Sequence, residues 1–175
     1  MAALLVLVIA AFWAFAATAW LGLPAKIPTH FDLGGHPDAW SEPRFVAWFL
    51  LPTLATGVAA LLGIGLPRWI IGMARRNAAL LNMPQKARFQ ALPEAARVRA
   101  VSAVTAGLQR VALLVVALFA WVLYGTHEVA HGRWGGLPPA GLLGAVGLLV
   151  AQSLWLVASA SRAVAREVAA ESGCG

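Results

Sequence analysis

Four long apolar stretches, separated by three polar connections, organise the chain. The first covers residues 2–23, the second 45–66 and ends at Pro67, the third 101–124, and the fourth follows Pro138-Pro139 over 140–160. Each is close to the roughly 20 residues needed to cross a hydrocarbon core of about 30 Å at 1.5 Å per residue. The pattern predicts an all-α polytopic membrane protein with four transmembrane helices forming one membrane domain, residues 1–161, followed by a cytoplasmic tail, 162–175. The connections are then an outer loop at 24–44, a cytoplasmic loop at 67–100 and an outer loop at 125–139. A signal peptide is the rival reading of the first run. It fits less well, because no Lys or Arg precedes the run and its length exceeds an h-region of about 7–15 residues.

Composition points the same way. Apolar types make up 61% of the 175 residues and charged types 11%, against about 25% charged in a soluble domain. The mean hydropathy is +0.77. Lipid must therefore cover much of the surface. The net charge of +6 does not imply nucleic acid, since the basic residues gather at helix boundaries and form no aromatic-interleaved patch. Eight tryptophans suit the headgroup layer. A single cysteine, Cys174, excludes an internal disulfide.

Charge also sets an expected orientation. Arg68, Arg75, Arg76, Lys86, Arg88, Arg97 and Arg99 border the middle loop, and Arg162 and Arg166 follow the fourth run. Only Lys26, Arg44 and Arg133 lie on the other side. The positive-inside rule then puts both termini in the cytoplasm, N-in and C-in, as expected of a multi-pass protein of a prokaryotic inner membrane. Between Arg75 and Arg99 the spaced basic residues predict a short interfacial helix, a turn at Met83-Pro84 and a lead into the third helix, anchored on anionic lipid.

The first outer loop is unusually specified. It reads Leu23-Pro24-Ala25-Lys26-Ile27-Pro28-Thr29-His30-Phe31-Asp32-Leu33-Gly34-Gly35-His36-Pro37-Asp38-Ala39-Trp40. Prolines stiffen it, and Gly34-Gly35 and Pro37-Asp38 offer turns, so it should hold a shape. This stretch resembles the multi-span membrane family known as domain of unknown function 1648, through Ile27, Pro28, Thr29, His30, Phe31, Gly34, Pro37, Asp38 and Trp40. A second, looser likeness is Asn82-Met83-Pro84-Gln85, where some relatives carry Asn-Leu-Pro-Asn, so that the resemblance extends over most of the first 130 residues. Some proteins with this domain are similar to SdpI-type immunity and signalling proteins. The resemblance implies a fold and a sensing or immunity role, and it brings no catalytic residue.

Two clusters carry candidate chemistry. His127-Glu128-Val129-Ala130-His131 matches the His-Glu-x-x-His pattern, in which two histidines on one helical face bind zinc and the glutamate activates water. A third ligand would have to come from His30, Asp32 or His36 in the facing loop, because Glu167 and Glu171 are expected on the opposite side. The bland alternative has Asp32, Asp38 and the histidines capping turns and bonding loop backbone. Within the membrane, Gln109-Arg110 on the third helix should share a layer with Gln152-Ser153 on the fourth. A mid-span Arg costs about 2.5–3.5 kcal/mol on insertion scales, so Arg110 is expected to reach Gln152 or a lipid phosphate. The leading expectation is a non-enzymatic protein without cofactor, acting in sensing, immunity or stress through its outer loop. Its partners would be the bilayer and a membrane or extracytoplasmic protein. The alternatives are a small transporter and an outer-face zinc-binding protein or hydrolase.

Overall fold

The computed structural model describes residues 1–172, and Cys174 lies outside the described residues. In chain order come α1 (Ala2–Trp20), β1 (Ile27–Phe31), β2 (Pro37–Ser41), α2 (Phe45–Ala60), a π-helical turn (Leu61–Gly65) and α3 (Leu66–Arg76). A 3-10 turn (Ala78–Leu80), α4 (Lys86–Ala91), α5 (Glu94–Ala130) and α6 (Pro139–Ser172) follow. The fold is thus all-α apart from one short antiparallel hairpin between the first two helices. Four rods are long and apolar enough to cross a membrane: α1, the continuous Phe45–Arg76, α5 and α6.

The second rod does not stop at Pro67. That proline lies in the first turn of α3, directly after a π-helical turn that carries the axis onward. Pro52 is buried in the interior of α2. One turn on, Thr56 Oγ1 donates to the Pro52 carbonyl at 2.8 Å and accepts from Trp13 Nε1 at 2.9 Å. This is the ordinary i−4 back-bond of a helical Thr, and it leaves the hydroxyl oxygen able to accept from α1.

Two cores are packed on α5. The larger joins α1, α2 and α5 around Phe12, Ala16, Trp48, Ala55 and Val116. Trp48, 2% exposed, donates Nε1 to the Ala16 carbonyl at 2.9 Å. The smaller core lies where α3, α4 and the start of α5 meet the end of α6; Phe89 and Val164 are fully buried there, with Leu81 and Leu92 nearly so. Arg97 locks it, donating to the carbonyls of Ala74 (2.9 Å), Leu92 (3.2 Å) and Gln90 (3.4 Å). The middle segment is therefore a folded cap, with the expected short helix leading into the long third rod. α6 runs antiparallel to α5, where a Cβ on Gly107 would come 2.2 Å from Leu156. The absent side chain is what lets the two helices approach. The cap lies at what we term the basic end, and the hairpin at the opposite, hairpin end.

Candidate functional site

At the hairpin end, β1 and β2 pair Ile27 with Ser41, Pro28 with Trp40, His30 with Ala39 and Phe31 with Pro37. The turn between them closes on Asp32. Its N–H donates to the His36 carbonyl at 2.9 Å, its Oδ1 accepts from the His36 N–H at 2.8 Å, and its carbonyl accepts from the Gly35 N–H at 2.9 Å. The His36 N–H holds the Asp32 carboxyl below its usual value. His30 Nδ1 sits 2.6 Å from Asp38 Oδ1 across the hairpin. Asp32 and His36 thus shape the loop, and His30 and Asp38 brace its strands.

The hairpin is docked on the helices. Ile27 is 4% exposed within the larger core. Leu137 N–H, from the connection before α6, donates to the Gly35 carbonyl at 2.7 Å. Gly35 has φ of +81° and its Cβ position would lie 2.0 Å from the Leu137 carbonyl oxygen, so glycine is required on two counts. Leu33 at the turn and Trp40 on β2 stay exposed. Beneath the turn an apolar cleft of about 450 Å³ is walled by Phe31, Leu33, Trp121, Leu137 and Leu142.

Beside it, the end of α5 forms a polar knot. Glu128 is 8% exposed. Arg133 forks onto it, Nε to Oε2 and Nη2 to Oε1, the latter at 2.8 Å. Gly132, at φ +70°, turns the chain back, and the Arg133 N–H reaches the Glu128 carbonyl at 2.9 Å. The hydrogen bonds it donates to Glu128 raise the Arg133 pKa. Arg133 Nη2 also donates to His127 Nδ1 at 3.1 Å, which makes that nitrogen the acceptor. The His127 and His131 rings lie 4.3 Å apart, and Phe15 meets His127 edge-on. His131 bridges two helix ends, with Nδ1 2.8 Å from the His127 carbonyl and Nε2 3.0 Å from the Gly22 carbonyl after α1. A carbonyl only accepts, so both bonds form together when the ring carries both protons.

This arrangement lends no support to the zinc alternative. Among the described residues no group of three His, Cys, Asp or Glu side chains is gathered as a metal set would be. His127 and His131 do share a face, but His30 pairs with Asp38 and Asp32 serves the turn, so neither supplies a third ligand. Glu128, the residue that would activate water, is held by Arg133. Arg133 is the member that motif reading misses, and its position five residues beyond Glu128, past a glycine, is the only sequence signal for it.

The intramembrane layer is also rearranged. Gln109 Nε2 donates to the Gly63 carbonyl of the π-helical turn at 3.3 Å. Arg110 does not pair with Gln152; its guanidinium lies 4.4 Å from the centre of the Trp155 ring. Ser153 Oγ returns to its own helix, to the Leu149 carbonyl at 2.8 Å.

In comparisons with known proteins, the model of the family described as Domain of unknown function (DUF1648) matches residues 6–56. The matched stretch takes in most of α1, the hairpin and the larger part of α2, and it ends before Asn82–Gln85, so it is shorter than the resemblance read from the two motifs. No curated protein and no solved structure matches the chain. Together the family match and the four apolar rods support a multi-span membrane protein that is DUF1648-like over residues 6–56.

Proposed function

We propose that this chain is a non-enzymatic protein of a prokaryotic cytoplasmic membrane that recognises a protein or peptide at its outer face, in a sensing, immunity or stress role. The docked hairpin carries the reading. It is braced by His30–Asp38, closed by Asp32 and tied down through Gly35–Leu137, and it presents Leu33 at 105% and Trp40 at 46% exposure. Pre-organisation lowers the ordering cost of binding, and exposed aromatic side chains are common anchors. The neighbouring acid and histidines are committed to structural bonds, which supports a role without catalysis.

The charge asymmetry supports an outward hairpin, since Lys26, Arg44 and Arg133 are the only Lys or Arg at that end. The family match over 6–56 takes in the hairpin, and a role like that of SdpI-type immunity proteins is part of this proposal. The test is protection. A bacterium sensitive to a panel of membrane-active peptide toxins should gain resistance to at least one when it expresses the chain. Leu33→Ser and Trp40→Ser should remove that resistance without changing helicity or thermal stability. Identical killing with and without the protein, or full protection by both variants, refutes the proposal.

A further inference from the structure

Among the described residues, the Arg110 guanidinium and Gln152 Nε2 have no hydrogen-bond acceptor. Arg110 lies about 16 Å along α5 from Arg99 at 1.5 Å per residue, and Arg99 itself is paired with Glu167 at 2.7 Å. The carboxylates of these two helices are Glu94 and Glu128 on α5 and Glu167 and Glu171 on α6, all at the helix ends. No counter-ion is therefore within reach of Arg110. Its one described contact is the Trp155 ring, which covers a face of the guanidinium. The N–H groups radiate in the plane of the group, so stacking leaves them available. Across from it, Gln152 Nε2 is buried without a hydrogen-bond partner among the described residues. The two residues are level: Leu156 meets Gly107 and Trp121 meets Gly141, and interpolation along the antiparallel pair sets Gln152 opposite Arg110.

Buried donors in native proteins are nearly always paired, and a guanidinium fork with an amide beside it is complementary to a bidentate oxyanion. The geometry points to an oxyanion-binding site between α5 and α6, in the half of the bilayer towards the basic end, with Arg110 as the fork, Gln152 as the second donor and Trp155 as the platform. Side chains lean towards the N-terminus of their helix, which for α5 is the basic end, so Arg110 is directed towards the headgroups of that leaflet. A phospholipid phosphate is the nearest source of this chemistry, and a free phosphate or carboxylate is the other. The site does not depend on the hairpin or on its proposed partner.

Native mass spectrometry of the full chain, released from vesicles of phosphatidylglycerol and phosphatidylcholine, tests it. Wild type should retain one phospholipid. Arg110→Leu should lower retention by about tenfold or more, as expected for losing a charge-assisted pair, and Gln152→Leu should lower it several-fold. Arg162→Leu is the control, since Arg162 is exposed and donates to its own helix at Ala158, and it should retain lipid like wild type. Should Arg110→Leu not fold, Arg110→Lys keeps the charge without the fork and should still bind several-fold less. In a second arm, delipidated protein in phosphate-free detergent is titrated with inorganic phosphate while tryptophan fluorescence is read. A saturable response lost in Trp155→Phe and in Arg110→Leu, without lipid retention, assigns the site to a free oxyanion. Equal lipid retention by wild type, Arg110→Lys and Gln152→Leu, with no phosphate response, overturns the inference.

Discussion

Replacing Gly35 by alanine should undock the hairpin while leaving the helices intact. Two costs add. Gly35 has φ of +81°, and holding an L-residue in the left-handed region costs about 1–2 kcal/mol. The new Cβ would also stand 2.0 Å from the Leu137 carbonyl oxygen, a backbone atom that cannot rotate away. Relief requires the turn to lift, breaking the 2.7 Å bond from Leu137 N–H to the Gly35 carbonyl, worth about 0.5–1.5 kcal/mol. The sum of roughly 2–3 kcal/mol corresponds to a shift of roughly thirty- to a hundred-and-fiftyfold between docked and undocked forms. Gly34→Ala is the matched control. Its nearest neighbours are the side-chain atoms His36 Nδ1 at 3.0 Å and Asp32 Oδ1 at 3.2 Å, which can give by a few tenths of an ångström where a backbone oxygen at 2.0 Å cannot, and its φ is not in the positive region. It should cost about 0.5 kcal/mol or less, as surface substitutions do. Hydrogen exchange of the protein in lipid nanodiscs, read by mass spectrometry over 24–44 and 131–139, measures the difference. Gly35→Ala should lose protection in both segments and Gly34→Ala in neither. Equal protection in the two variants would refute the docking argument.

Three further outcomes are expected. In a Cys174-replaced background, an impermeant thiol reagent applied to intact cells should label His36→Cys and spare Gln85→Cys; the reverse pattern would invert the topology. Asp32 has a carboxyl pKa below its ordinary value in the folded turn, so its stabilising effect is fully present above about pH 4 and is lost as pH falls through the depressed folded value. The His36 amide resonance should report that loss, and Asp32→Asn should abolish its acid dependence; an identical titration in both proteins would show that Asp32 does not close the turn. Finally, Arg133→Leu should lower thermal stability more than Arg110→Leu, because it strands Glu128, a side chain only 10% exposed. Equal melting temperatures would show that the knot adds little.

The bundle was legible because lipid imposes a simple rule. Each span has to bring about twenty apolar residues in a row, and the runs at 2–23, 45–66, 101–124 and 140–160 fall inside the four rods apart from the last residues of the first. Their ends were less legible. α5 begins at Glu94 and the second rod passes Pro67 to Arg76, because helices outside hydrocarbon continue wherever tertiary packing supports them, and Phe89, Leu92 and Val164 provide that packing at the basic end. The basic residues of that segment suggested a lipid anchor, and the apolar residues between them build a core that the charge pattern alone did not reveal.

The polar site was read less well, for one physical reason. Many of its long-range bonds end on backbone carbonyls. His131 reaches the carbonyl of Gly22, Gln109 that of Gly63, Trp48 that of Ala16, and Arg97 those of Ala74, Gln90 and Leu92, while the Leu137 N–H meets the carbonyl of Gly35. Every residue owns a carbonyl, so residue identity says nothing about which one will be used. A motif search sees only the side chains and assigns them to one another. His127-Glu128-Val129-Ala130-His131 therefore reads as a zinc pattern when the competing partners are invisible, and it becomes a structural knot once Gly22 and Arg133 are placed. Where two segments approach closely enough for a carbonyl to be captured, small residues mark several of the contacts: Gly63 opposite Gln109, Ala16 opposite Trp48 and Gly35 opposite Leu137. In a chain with few charged residues, those small positions are a guide to where polar side chains will end.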